Sequence, residues 1–144
     1  RMLSKLGVVE MLDVYVSYEK SMDVAEQEYG GMRGIDDTRD AFRHIVYAAL
    51  LTINTTDEFA CYWLNAHEFG DPNNLLWEYN TEGNYKYLAT KMDLHNNYLG
   101  VNLALSLSPE ERNLDTIVSK ANELIENGSA RELVDNKLVK TGGK

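Results

Sequence analysis

The sequence predicts an all-α protein, mostly helical, folded as a single compact multi-helix domain over residues 1–144. Three observations carry this. Apolar residues recur at helical spacing through several long segments. Cap signals of the Ser/Thr/Asp type precede those segments, and Gly, Asn or Pro closes them. At 144 residues the chain can bury a core without disulfide or metal staples, and its one cysteine, Cys61, forms no internal disulfide.

Residues 3 to 28 read as one long amphipathic helix with Leu3, Leu6, Val9, Leu12, Tyr15 and Val16 on its apolar side, stopped by Gly30-Gly31. Asp36, Asp37 or Thr38 is placed to cap a second helix over about 39–53. That segment is apolar nearly all round (Ala41, Phe42, Ile45, Val46, Ala48, Ala49, Leu50, Leu51), which marks it as the central buried helix. Thr55 and Glu58 match a capping box for a third helix ending near Gly70-Asp71-Pro72. Residues 73 to 84 read as mostly loop, anchored by Leu75, Leu76 and Trp77. A fourth helix begins at Tyr85 or Lys91 and runs through Leu107. Ser108-Pro109-Glu110-Glu111 signals the start of a fifth, closed by Asn127-Gly128. Asp135-Asn136 lies between two short apolar runs, as in a small C-terminal β-hairpin or a last helical turn, and 141–144 reads as a frayed tail.

Composition narrows the function classes. An apolar share of 44% and a charged share of 26% are those of an ordinary globular protein. The net charge is −9, and the 14 Lys and Arg form no run, so a stable complex with a long stretch of nucleic acid is disfavoured. A basic protein partner suits that charge. There is no transmembrane segment of about 20 apolar residues and no signal-peptide pattern. The chain starts at Arg1 rather than Met, as a fragment or a processed product would.

The candidate chemistry lies in three polar islands on successive helices: Arg43-His44, His67-Glu68 and Asp93-Leu94-His95-Asn96-Asn97. The third is the densest. On a helix Asp93, Asn96, Asn97 and Gly100 share one face, and a glycine there costs about 1 kcal/mol relative to Ala unless something must approach closely. Polar groups buried without partners cost about 1–3 kcal/mol each, so the islands are expected to find one another. Two site chemistries follow. In one, His44, His67 and Asp93, joined by His95 or Glu68, bind a divalent metal such as Zn. No spacing here matches a named zinc motif. In the other, one His is the base and another the acid, and Arg43 stabilises a developing anion. Asp93 then orients a His, while Asn96 or Asn97 holds substrate. Tyr47 and Trp63, one helical turn from His44 and His67, are placed to line a pocket. The plain counter-reading is structural: Arg43 pairs with Asp40, Glu68 or Asp93, His44 is a satisfied core histidine, and Asp93 and Asn97 bond between helices. Cys61, on an aromatic-rich helix, reads as core.

Asp40-Ala41-Phe42-Arg43-His44, Asn65-Ala66-His67-Glu68 and Met92-Asp93-Leu94-His95-Asn96-Asn97 with Gly100 together resemble a family of uncharacterised helical domains. Those domains are similar to the C-terminal effector modules of bacterial polymorphic toxins, including contact-dependent inhibition and Rhs-type systems. The likeness covers about residues 36–107, and the ending Leu133-Val134-Asp135-Asn136-Lys137-Leu138-Val139 is similar too. One departure is Ile45-Val46-Tyr47-Ala48 after the first His, where the family often carries a small aromatic and an Asn. The resemblance implies an antibacterial toxin, secreted or delivered into a target bacterial cell and neutralised by a cognate immunity protein. It implies no settled reaction. The residues lead us to expect a hydrolase of phosphodiester or ester bonds, nuclease or lipase-like; the rivals are a non-enzymatic toxin or protein-binding module, and a domain whose islands are purely structural.

Overall fold

A computed structural model describes residues 8–69 and 85–142. Within them the helices are α1 (Val8–Tyr29), α2 (Thr38–Asn54), α3 (Asp57–Phe69), α4 (Tyr85–Ser106) and α5 (Leu114–Glu126). They are followed by β1 (Arg131–Val134) and β2 (Lys137–Lys140). The mostly helical architecture and the small C-terminal hairpin are as expected. The expectations for Leu3, Leu6, 70–84 and Lys144 lie outside the described residues.

The second helix is the axis of the molecule. Asp37 caps it, accepting from the Asp40 amide at 3.0 Å. Phe42, Ile45, Val46 and Leu51 are fully buried, and α1, α3, α4, α5 and β1 all pack on it. Its closest neighbour is α4, and Gly100 explains how: a Cβ there would sit 2.3 Å from the Ile45 carbonyl oxygen and 2.7 Å from the Ala48 Cβ. The partner that must approach the Gly100 face is therefore the α2 backbone.

Three expectations about individual elements need correcting. In α1 the buried face is Ser17, Ser21, Val24 and Ala25, while Leu12, Tyr15 and Val16 are exposed, Tyr15 by 63%. Small side chains at i, i+4, i+7 and i+8 let α1 lie close to its neighbours, and Ser17 accepts from Asn54 Nδ2 at 3.2 Å. The cap of α3 is Thr56, whose hydroxyl accepts from the Phe59 amide at 3.0 Å, while Thr55 turns back to the Leu51 carbonyl at 2.6 Å and closes α2. Ser108 does form a capping box with Glu111, but it heads only a 3₁₀ turn, Pro109–Glu111; Asn113 caps α5, accepting from the Thr116 amide at 2.9 Å.

Asp135 and Asn136, with φ of 51° and 59°, form the left-handed two-residue turn that suits the twist of a hairpin. They pair Val134 with Lys137 and Leu133 with Leu138. Thr141, read as part of a frayed tail, is 2% exposed and donates to the Ile125 carbonyl at 2.8 Å. The hairpin is held down from inside the helices: Asn96 accepts from the Arg131 amide at 3.0 Å and donates to its carbonyl at 2.9 Å. Thr38 donates to Glu132 at 3.1 Å.

Candidate active site

Three helices bring side chains to one point. From α2 come Asp40, Arg43 and His44, from α3 Glu68, and from α4 Asp93 and Asn97. Asp40, His44, Glu68 and Asn97 are buried. Asp40 and His44 are one turn apart and share a face. Arg43 Nη2 donates to Asp40 Oδ1 at 2.8 Å and lies 3.1 Å from His44 Nε2. On the other side of the ring, His44 Nδ1 meets Asn97 Oδ1 at 2.9 Å.

That last contact sets the chemistry of the ring. An amide oxygen only accepts, so with this amide orientation Nδ1 carries the proton and Nε2 presents its lone pair. Arg43 donates toward that lone pair. Burial, and then the Arg43 charge, lower the His44 pKa, so the ring is neutral near pH 7. Asp93 Oδ1 lies 3.2 Å from the same Nε2, yet this oxygen is buried and makes no hydrogen bond. Ion-pair distance and hydrogen-bond geometry thus differ here. The geometry decides: Nε2 accepts from Arg43, and Asp93 Oδ1 lies beside it as a second acceptor with no proton between the two.

The acids are tuned to match. Burial and the neighbouring Asp93 charge push Glu68 up to about 7. Burial and the charge of Asp40 push Asp93 up to about 7 as well. The two carboxyls are hydrogen-bonded to each other, which requires one proton held between them. The pair titrates as a unit near neutrality.

Of the residues expected at the site, Arg43, His44, Glu68, Asp93 and Asn97 converge. Asn97, rather than Asp93, orients the imidazole. His67 is exposed and lies outside the tight cluster, although it lines the same cavity. His95 and Asn96 leave the site: the His95 ring meets the Ser129 carbonyl at 2.7 Å, and Asn96 is consumed by Arg131. Both are rotated off the Asp93–Asn97 face and turn toward the hairpin. Among the described residues, the set close enough to share a metal ion is Asp40, His44 and Asp93, within 4.8 Å of one another. Asp40 thus stands where the sequence reading put His67, and the Arg43 guanidinium already supplies a positive charge between Asp40 and His44. Asp40 was read only as a structural partner for Arg43; its i, i+4 spacing to His44 was the overlooked signal.

The cluster opens on a cavity of about 370 Å³, within the range of small-ligand sites, about 300–1,000 Å³. Its wall combines Arg43, His44, His67 and Asn97 with Val14, Tyr18, Tyr47, Trp63 and other apolar groups. Trp63 Nε1 donates to the Tyr47 hydroxyl at 3.1 Å, and Tyr18 packs edge-on against Tyr47 at 5.8 Å, which fixes the aromatic side.

Fold and site together define an all-α domain with a buried carboxyl–imidazole cluster beside an aromatic pocket. The chain belongs to the family described as a domain of unknown function (DUF6973), whose model matches residues 2–129. No curated protein and no solved structure matches it.

Proposed function

We propose that the domain is a hydrolase acting as an antibacterial effector, with His44 as its base and Asp93 as the group that receives the resulting charge. The observation that carries the hydrolase reading is the bare Asp93 Oδ1 facing the unprotonated Nε2 of His44 at 3.2 Å beside a ligand-sized cavity. Water attacking a bound ester or phosphodiester passes a proton to Nε2. The imidazolium forms an ion pair with Asp93, and Arg43 stabilises the oxyanion. His44 then returns the proton to the leaving oxygen, so the cluster ends as it began. The proton held within the Glu68–Asp93 pair limits the repulsion between those two carboxyls. The effector half of the reading is supported by the resemblance of the three islands to polymorphic-toxin modules, with delivery into a bacterial cell and a cognate immunity protein as its corollaries.

The test is expression in bacteria alongside His44→Ala and Asp93→Asn. Each variant is expected to lose toxicity and to lower turnover about 10²–10⁴-fold, while far-UV circular dichroism stays helical. Undiminished toxicity in folded variants ends the proposal. Metal analysis of the purified protein separates this chemistry from a divalent ion held by Asp40, His44 and Asp93: stoichiometric metal replaces Arg43 as the source of positive charge.

A further inference from the structure

We propose that the cavity beside His44 holds the acyl chain of a carboxylic ester, which makes the acyl group the part of the substrate that is recognised. This rests on the cavity being the site of the hydrolysis proposed above. Its wall is mostly apolar, with Met11, Val14, Tyr15 and Tyr18 contributed by α1 and Trp63 and Leu64 by α3. The α1 residues explain an oddity of the fold. The expected apolar stripe of α1 is not spent on the core, which takes Ser17, Ser21, Val24 and Ala25 instead; of that stripe, Tyr15 joins Met11, Val14 and Tyr18 in the wall of this cavity.

Charged, imidazole and amide side chains are a minority of that wall: Arg43, His44, His67 and Asn97. Arg43 is bound to Asp40 at 2.8 Å, and His44 is neutral. A phosphate group entering here would add negative charge beside Asp40 and Asp93, within a protein of net charge −9. A neutral ester adds no charge: its chain replaces water along the apolar wall, and its carbonyl accepts from Arg43. In the reaction the water oxygen bonds to the acyl carbon, the ester C–O bond breaks, and the alkoxide leaves with the proton that His44 took from water. One water and one ester give one acid and one alcohol.

The test separates binding from turnover. Normal alkanols from butanol to decanol, which are neutral and cannot be hydrolysed, are titrated into the protein by calorimetry. In parallel, p-nitrophenyl esters from acetate to decanoate are assayed for hydrolysis. Affinity is expected to rise about fourfold per added methylene until the cavity is full, and kcat/KM to rise with it. Val14→Trp should cut binding of the longer alkanols at least tenfold. Should that variant misfold, Tyr15→Ala at the exposed rim should weaken them about threefold. Affinity independent of chain length, or unchanged in a folded Val14→Trp protein, overturns the acyl assignment even if the domain proves toxic through another substrate. Chain-length-dependent binding with no turnover of any ester upholds the acyl-binding pocket and removes the hydrolase reading beneath it.

Discussion

Asn97 is the residue on which the behaviour of the cluster turns. By accepting from Nδ1 it decides which nitrogen of His44 is basic, and it does so from a helix 53 positions away. Asn97→Asp would put a carboxylate where a neutral amide now stands. Its charge beside the ring favours the imidazolium, so His44, now lowered, should titrate at higher pH in the variant than in the parent. Titration of the ring C–H resonances by NMR reads this directly; an unchanged His44 titration would mean that Nδ1 does not face residue 97. The same residue shows what a lone sequence can carry. That Arg43, His44, Glu68 and Asp93 would meet was legible because polar groups inside apolar helices must find partners. Which ring nitrogen faces which partner depends on helix rotation and crossing, and no spacing encodes that.

At the scale of elements, α4 does two jobs from two faces, and the sequence showed only their sum. Asp93, Asn97 and Gly100 face α2 or the site, whereas His95 and Asn96 turn to the hairpin. A dense polar run therefore read as one site when it is a site plus a clamp. The long apolar stripe of α1 misled for a related reason: periodicity reports that a face exists, but which face packs depends on how close the neighbour comes. Two substitutions separate these roles. Gly100→Ala gains about 1 kcal/mol of helix propensity but drives a methyl into the α2 backbone, at 2.3 Å from the Ile45 oxygen. Overpacking of this kind costs about 1–3 kcal/mol, so urea denaturation should show a net loss. Asn96→Ala strips the Arg131 amide and carbonyl of their partner at about 1–3 kcal/mol each. It should destabilise the fold and speed hydrogen exchange in β1 while leaving any activity of the folded fraction intact. A loss of activity with no loss of stability would return Asn96 to the site.

For the molecule as a whole, the paired carboxyls tie the site to global stability, and the sign can be worked out. Glu68 and Asp93 titrate near 7 in the folded protein, against ordinary values of 4.5 and 3.8. Between about pH 4 and pH 7 the folded state therefore binds more protons than the unfolded chain, and stability falls as pH rises through this window. The contribution is whole below the unfolded values and is lost once pH passes about 7. His44 works the other way: its lowered pKa withdraws stability as pH drops below 6.5. Glu68→Gln keeps a neutral donor toward Asp93 and removes the ionisation that burial resists. Melting temperatures measured from pH 5 to pH 8 should then diverge, the variant gaining on the parent steadily as pH rises. Because both proteins keep the rest of their acidic surface, general charge repulsion at high pH affects them almost alike and drops out of the difference. Curves that stay parallel across the range would show that Glu68 ionises as readily as in the unfolded chain, and the proton of the pair would have to sit on Asp93.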